Sequence, residues 1–571
     1  MPKKIPYGQC NFAHIMASNF AYVDKTRYIE QIENENNSYQ FLLRPRRFGK
    51  SLFLSVLDNY YNMTAKDRFD SLFGGLYIGK NPTVERGTYA VMRFDFSGVD
   101  TETHEDFTRS FRTKIEEQVN SFLDNYNNVF PRAEITRQRI EERSPGIDAL
   151  TMAFAAARSS GVPIFVLIDE YDHFANKLIA MGKAYRDEVR AGGLVRTFYE
   201  SLKAETAQTL RRIFITGVSP MMINDMSSGF NMADNLSLLP KYNEMFGFTS
   251  KEVECLIRET GINKDLITVD MEAYYNGYMF DEYGKDRVYN SQMVLCLLNR
   301  IAQLGKQPRE IVDDNLKTDY GRLRKLVAIE GGREKLLEIM TNGRIDERIV
   351  TNFSVDDLQN ADYFVSFLFY LGMLTVRRMD DGITTLAIPN YSIKTLYWEY
   401  MASYLKNMDD CAIDTRELAE KVKCMAMDGD LMPYINYFTE NVLKRLSNRD
   451  LQRFDEKYIK VMMLTNLYMS PLYLPVSEDE NKNGYTDVYL QKHWASPAVR
   501  HEYVLEIKYV KTNATESDIA AKFAEADAQV QKYQTDPRFA GRSNLKFAAL
   551  VFKGKGDVDV RFYEGLIHPM A

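Results

Sequence analysis

The sequence predicts an α/β protein built in three parts. A parallel sheet clothed by helices is expected over 1–250, a mainly helical region over 251–412, and a second, smaller α/β domain over 413–571. Three observations predict this. Four short runs of Val, Ile, Leu, Phe and Tyr, at 38–44, 89–96, 163–169 and 212–217, alternate with helical periodicity such as 50–61 and 105–127. Continuously apolar strands separated by helices mark a sheet buried on both faces. From 250 the strand runs thin out, leaving helices over 355–373 and a hairpin over 374–388 that turns at Asp380, Asp381 and Gly382. From 413, two or three helices reach Leu467, an acidic, turn-rich stretch follows at 476–484, and strands at 485–490, 502–510 and 546–552 enclose a helix at 516–534.

Composition bounds the function classes. A chain of 571 residues exceeds one core, and at about 150 residues per domain it holds two to four. With 45% hydrophobic and 26% charged residues it is neither disordered nor collagen-like. The 72 basic and 79 acidic residues leave a net charge of −7, so any nucleic-acid site must be a local basic groove. The longest apolar stretch, Tyr363 to Val376, is shorter than the roughly 18 residues of a membrane span. No apolar run follows Lys3 and Lys4, so no signal peptide is expected. Cys10, Cys255, Cys296, Cys411 and Cys424 are scattered without a C-x-x-C pair, as are the six histidines. That pattern speaks against a disulfide framework or a thiolate zinc site and fits a reducing cytoplasm.

The first strand run ends in L-L-R-P-R-R-F-G-K-S, 42–51, where a helix begins. A helix N-terminus favours an anion. Gly49 lets the backbone approach a phosphate, Lys50 reaches the β- and γ-phosphates, and the Ser51 hydroxyl ligates Mg²⁺. Arg44 stands where the general pattern has its first glycine, and the plain alternative is a basic turn that caps a helix. The run V-P-I-F-V-L-I-D-E-Y-D, 162–172, ends in two carboxylates at the edge where open α/β sheets bind ligands. Asp169 is expected to hold Mg²⁺ through its waters and Glu170 to polarise the attacking water; an acidic pair capping the next helix is the alternative. The run R-R-I-F-I-T-G-V-S-P ends in Thr216 and Ser219, with Thr216 placed to sense the γ-phosphate or to form a turn. Arg211, Arg212 or an arginine of another subunit is the candidate arginine finger.

The C-terminal part carries G-Y-T-D-V-Y-L, 484–490, followed by Y-V-L-E-I-K-Y, 503–509. Residues two apart on a strand share a face, so Glu506 and Lys508 point the same way, and a hairpin brings Asp487 of the preceding strand beside Glu506. Two carboxylates and a lysine at a strand pair form a Mg²⁺ site; the alternative is a solvated, charged strand face. Gln529 and Tyr533 lie one helical turn apart on the helix that follows. Glu456 opens an apolar helix within 454–464, where a further acid would sit.

These segments resemble two families. The N-terminal half, to about residue 400, resembles the AAA-ATPase-like proteins of bacteria. The resemblance lies in F-A-Y-V-D-K-T (20–26), R-P-R-R-F-G-K-S (44–51), I-D-E-Y-D (168–172), F-I-T-G-V-S-P (214–220), S-G-F-N (228–231), G-F-T (247–249) and Y-N-G-Y-M-F (275–280). It implies a P-loop NTPase sheet with a helical, winged-helix-like lid. It also implies ATP and Mg²⁺ as cofactors, contacted by Arg46, Arg47, Phe48, Gly49, Lys50, Ser51, Leu52 and Thr216. The stretch from 413 resembles the PD-(D/E)XK nuclease superfamily, a restriction-endonuclease-like α/β fold, in the branch fused behind AAA-ATPase-like domains. Glu456, Asp487, Glu506, Lys508, Gln529 and Tyr533 carry over by position, with Thr486 in place of a proline. The resemblance implies metal ligation by Glu456, Asp487 and Glu506 here, and by Ser51 and Asp169 at the nucleotide. The expected function is an ATP-binding, ATP-hydrolysing module controlling a Mg²⁺-dependent nuclease that cleaves DNA, with defence against foreign DNA as an analogy from architecture. The alternatives are a nucleotide-dependent switch or scaffold with a vestigial nuclease domain, and an RNA-directed or transposition-linked nuclease. A homo-oligomer is left open, and no membrane partner is expected.

Overall fold

The computed structural model describes residues 2–563 except 101, 144, 174–192, 221–231, 285, 314–331, 354–356, 358–359, 381–382, 407–412, 446–454, 477–478, 482–483, 494 and 540. The S-G-F-N segment 228–231, residues 381–382 of the hairpin turn, Cys411 and parts of the acidic stretch 476–484 lie outside the described residues. The chain forms two compact units, Met1–Asp313 with Asp346–Asn390, and Asp314–Ile345 with Tyr391–Ala571.

In the first unit, strands β1 (Tyr39–Leu43), β2 (Ala90–Asp95), β3 (Ile164–Asp169), β4 (Leu210–Gly217) and β5 (Asp234–Asn235) form one sheet in the order β2-β3-β4-β1-β5. All four pairings are parallel. Every residue of β3 is buried, as expected of a strand covered on both faces. Helix α1 (Lys50–Tyr61) lies on one face, with Tyr61 against Phe165 at 5.0 Å and Phe53 against Phe214. On the other face, Phe198 of the helix Leu194–Glu205 meets Phe94 at 5.0 Å. The register pairs Val91 with Phe165 and Phe94 with Ile168, three residues on, so these contacts fall on opposite sides of the pleat.

The turn from β1 into α1 is fixed by a buried arginine. Arg44 is 1% exposed and donates from Nη1 to the carbonyls of Leu43 and Ser237, both at 2.8 Å, and from Nη2 to that of Tyr242 at 2.8 Å. Its guanidinium lies 4.3 Å over the ring of Phe280. Burial pulls its pKa down to about 9, with Asp281 opposing. The glycine of the general loop is thus replaced by a side chain that clamps the strand end to residues about 200 positions away.

Other segments of the same unit hold the loop backbone. Gly247, at φ 80°, donates its N–H to the Phe48 carbonyl at 3.1 Å; a Cβ there would come within 2.7 Å of the Tyr289 carbonyl. Phe48 is buried edge-on against Tyr278 and Phe280. At the start of helix Ser291–Leu304, Ser291 Oγ and the Gln292 N–H donate to the Arg47 carbonyl at 3.0 and 3.3 Å. Further on, helix Ala361–Tyr370 runs into the antiparallel hairpin of Thr375–Asp380 and Ile383–Ala387, the helix-then-wing order of a winged helix.

The second unit has a mixed sheet of Tyr473–Val476 (β6), Val488–Lys492 (β7), Glu502–Val510 (β8), Leu545–Lys553 (β9) and Asp557–Tyr563 (β10), in the order β10-β9-β8-β7-β6. Only β8 and β9 run parallel. The strand expected at 485–490 is two pieces, Gly484–Thr486 and β7, and Asp487 lies in the break rather than within a strand. The cause lies across the sheet: Asp487 Oδ2 accepts the Ile507 N–H of β8 at 3.1 Å, so a side chain takes a bond the ladder would have made. Helix α2 (Glu516–Gln534) opens with a capping box, Thr515 with Asp518, and packs on β8 and β9 through Phe523, Ala526, Val530 and Tyr533. Among the described residues, no helix is long and apolar enough to cross a membrane.

Arg44→Gly restores the general loop pattern, yet it should destabilise the protein by about 3 kcal/mol, because it removes three charge-assisted bonds and leaves buried carbonyls unpaired. Arg44→Lys should recover little, since one ammonium cannot span those carbonyls. Urea unfolding of the three proteins checks this.

Candidate functional site

Two clusters of chemistry-bearing side chains stand out, one in each unit. The first lies where β1 turns into α1. Arg47 and Gly49 have left-handed φ values of 70° and 98°, which curl the backbone of this turn, and a Cβ on Gly49 would meet no protein atom within 4 Å. An open concavity at a helix N-terminus suits a phosphate. Lys50 is buried, and its Nζ donates to the Arg44 and Pro45 carbonyls at 3.0 Å each. Burial lowers its pKa, while Glu170, Asp169 and Asp172 act in the other direction. Ser51 and Leu52 are half-buried on the first turn, as are Arg46 and Arg47 before it. The Phe48 side chain belongs to the core, so only its backbone faces the loop.

The end of β3 supplies the carboxylates. Asp169 is buried; its Oδ1 accepts from Thr216 Oγ1 at 2.7 Å and from the Glu170 N–H at 3.0 Å. Thr216, fully buried, is the neighbour that orients Asp169. Glu170 has φ 48°, a conformation that costs a non-glycine residue about 1–3 kcal/mol. Its Oε2 pairs with His173 Nδ1 at 2.7 Å. Burial would raise its pKa, but the His173 bond and the Lys50 and Arg46 charges outweigh it and hold the carboxyl at about 2. Asp172 accepts from the Val218 and Ser219 N–H groups and from Ser219 Oγ, and so ties the end of β4 to the end of β3. Of the two arginine-finger candidates, Arg212 is buried and bound through Nε and Nη2 to Glu85, at 2.5 and 2.8 Å, whereas Arg211 is exposed.

In the second cluster, three elements converge on Lys508. Its Nζ lies 2.7 Å from Glu506 Oε1 on the same strand, 3.3 Å from Glu456 Oε1 at the start of helix α3 (Glu456–Tyr468), and 4.0 Å from Asp487 Oδ2. Glu506 is 2% exposed, which removes the solvated-face alternative. It shares the α2-facing side of β8 with Glu502, Val504 and Val510, and the Glu506–Lys508 pair lies between the two valines. Tyr533 donates its hydroxyl to Glu506 Oε2 at 2.7 Å. Gln529, one turn earlier on α2, has a buried Oε1 with no hydrogen-bond partner among the described residues. Burial first, then the Asp487 carboxylate, push Glu506 up to about 7, against the pull of Lys508 and Tyr533. Burial also raises Glu456, with Lys508 opposing. Burial would lower the Lys508 pKa, but Glu506, Asp487 and Glu456 outweigh it and raise it.

Among the described residues, no three carboxylate, histidine or cysteine side chains are set closely enough to hold a metal as they stand. Instead the carboxylates meet around one ammonium. A donor set of carboxylate oxygens gathered at a single positive point, with the orphaned Gln529 amide oxygen one helical turn before the Tyr533 that holds Glu506, fits a hard divalent cation. The residue that sequence reasoning missed is Lys460, buried on α3, with Nζ 3.4 Å from Asp487 Oδ1. Its signal was present: it is the one cation in the apolar run Y-I-K-V-M-M-L, four residues after Glu456.

Residues 6–227 match the family model described as predicted AAA-ATPase, and residues 454–561 match that of the PD-(D/E)XK nuclease superfamily. An uncharacterised protein in the vnfD 5′ region of Azotobacter chroococcum mcd 1 is 25% identical over 518 residues, spanning 89% of this chain and 90% of that relative. Among solved structures, the Walker-type ATPase of Pyrococcus abyssi aligns at 12% identity and TM-score 0.36, over 65% of this chain and 94% of its own. The Orc1 protein of Aeropyrum pernix in complex with DNA aligns at 12% identity and TM-score 0.26, over 66% of this chain and 91% of its own.

The folded chain keeps a proton on Glu506 that an unfolded chain, with an ordinary value of 4.5, has lost by pH 6. Wherever the folded state binds more protons, stability falls as pH rises, here between about 5 and 7. In metal-free buffer, Glu506→Gln should therefore gain about 1–3 kcal/mol relative to wild type between pH 5 and pH 8. Urea unfolding at both pH values measures it; a constant difference would mean that Glu506 titrates as an ordinary carboxylate.

Proposed function

Because residues 6–227 form a predicted AAA-ATPase domain and residues 454–561 a PD-(D/E)XK nuclease-superfamily domain, we propose that this protein binds and hydrolyses ATP and uses it to control a Mg²⁺-dependent endonuclease acting on DNA. One observation carries the nuclease half: Glu456, Asp487 and Glu506, from three separate elements, converge within 4.0 Å of Lys508 Nζ.

At the nucleotide loop, the backbone around Gly49 and the Lys50 ammonium would hold the β- and γ-phosphates. Ser51 and Asp169 would hold the accompanying Mg²⁺, with Thr216 fixing the Asp169 rotamer. Glu170, held ionised at about 2, is too weak a base to take a proton efficiently; it orients and polarises the attacking water. At the second site, Glu456, Asp487 and Glu506 would hold the divalent ion, which when bound supplies charge against the scissile phosphate and a nucleophilic water at neutral pH. Tyr533 holds Glu506 Oε2 in place, and Lys508 donates to the phosphate once it leaves Glu506. Removal of phage or other foreign DNA is the biological setting we propose for this pairing, with the nucleic acid held in a local groove.

Control by the nucleotide is supported by chain connectivity. The chain passes between the two units after Asp313, Ile345 and Asn390. The second-unit helices Gly332–Asn342 and Tyr391–Lys406, next to those passages, both pack on α3, the helix that begins with Glu456. Within the first unit, Gln292 and Asn276 belong to segments that hold the loop. Gln292 Nε2 donates to Asp313 at 3.4 Å, and the Asn276 carbonyl accepts from Asn390 at 2.8 Å.

Lys50→Ala should abolish ATP binding measured by calorimetry while the protein still folds and unfolds cooperatively, because a methyl cannot replace a point charge at the phosphates. Glu170→Gln should keep ATP bound and stop its hydrolysis. Folded Glu506→Ala should fail to nick supercoiled plasmid in Mg²⁺, with EDTA-treated wild type as the matching control. Full nicking by that variant would sink the nuclease assignment, and nicking indifferent to ATP and to Lys50→Ala would sink the control.

A further inference from the structure

We propose that Lys460 is a working member of the carboxylate site, a second ammonium that sets the charge the site presents to a phosphodiester once a divalent ion is bound. This rests on the nuclease function proposed above. Lys460 lies one turn beyond Glu456 on α3 and is 4% exposed, flanked by Ile459, Val461 and Met462 in the buried part of the helix. An ammonium in such a place loses several kcal/mol of hydration unless a partner meets it. The partner is Asp487, whose Oδ1 is 3.4 Å from Lys460 Nζ; its Oδ2 accepts the Ile507 N–H and faces Lys508 at 4.0 Å. Lys508 instead sits closest to Glu506 and Glu456, at 2.7 and 3.3 Å. The two ammonium groups divide the three carboxylates between them.

Packing alone does not call for Lys460, because a methionine would fill the same volume at lower desolvation cost. The charge count supplies the missing role. With Glu506 ionised, three carboxylates against two ammonium groups leave one negative charge in excess. A divalent ion turns that into one positive charge in excess, which attracts the singly charged phosphodiester. Without Lys460 the loaded site would be neutral. Lys460 therefore weakens metal binding and strengthens the hold on the nucleic-acid backbone, two effects of opposite sign that a purely structural lysine would not produce.

The test uses the full-length chain with Lys460→Met and, as a second variant that keeps a polar head, Lys460→Gln, with unfolding midpoints to check the fold. Calorimetric titration with Mn²⁺ should show binding tightened on the order of tenfold, as expected when one nearby like charge is removed. Plasmid cleavage at subsaturating DNA should fall by about tenfold or more, mainly through KM. Lys457→Met, an exposed neighbour that bonds Asn342 Oδ1 at 3.0 Å, should change neither. Unchanged Mn²⁺ affinity in both folded Lys460 variants would overturn the proposal. So would a parallel loss of Mn²⁺ affinity and cleavage, which would make Lys460 only a prop for Asp487. If the wild-type chain binds Mn²⁺ but cleaves no DNA, the nuclease function fails separately, and the Mn²⁺ titration still decides the charge role of Lys460.

Discussion

Arg44 brings a full positive charge into the core at the point where β1 ends, and much of the loop between β1 and α1 is arranged around satisfying it. Among the described residues no carboxylate is a hydrogen-bond partner of it; three carbonyls and the face of Phe280 take that part. Carbonyl dipoles meet a guanidinium without the second desolvation penalty that a buried carboxylate would add. Because Ser237 and Tyr242 lie about 200 residues on, the clamp forces the chain after β5 back across the loop. Gly247, Tyr278 and Phe280 then fall against Phe48. A loop held this way is organised by the chain itself, and in the proposed function that lowers the ordering cost of binding a phosphate.

The carboxylate site meets the same problem with the opposite solution. Glu506 and Lys508 sit side by side on a buried strand face, and Glu456 and Asp487 close on the same ammonium. Such a cluster is a poor device for stability, since apolar residues of the same shape would pack there at lower cost. It is a good device for chemistry. Burial and a neighbouring carboxylate leave Glu506 near neutrality in its titration, where small changes in local charge alter its protonation.

The two sites also differ in how their side chains are held. At the end of β3, each carboxylate already has a fixed hydrogen-bonded partner: Thr216 for Asp169, His173 for Glu170, and the β4 end for Asp172. Around Lys508 one ammonium serves several acids, and among the described residues Gln529 Oε1 has no hydrogen-bond partner. The first arrangement is fixed by its own hydrogen bonds. The second leaves room for a cation to reorder the ligands.

What the sequence determined by itself was whatever depends on near neighbours in the chain. The four apolar runs became the main strands of the first sheet, because continuous burial leaves no other place for them. Helices Lys50–Tyr61 and Glu516–Gln534 begin and end as expected, since Gly49 and the Thr515 capping box are local signals. The shared face of Glu506 and Lys508 follows from the two-residue period of a strand. The resemblance to the two families was likewise carried by contiguous segments. Tertiary structure decided the rest. It placed Asp487 in a strand break, because the Ile507 N–H across the sheet captures its carboxylate. It gave Arg212 to Glu85 and buried Arg44 against carbonyls, choices set by chain that arrives from far away. It also turned Lys460 from one basic residue in an apolar run into the partner of Asp487. A side chain's type and local face are written along the chain, but the partner that meets its charge, and hence its burial and protonation, depends on which distant element folds over it.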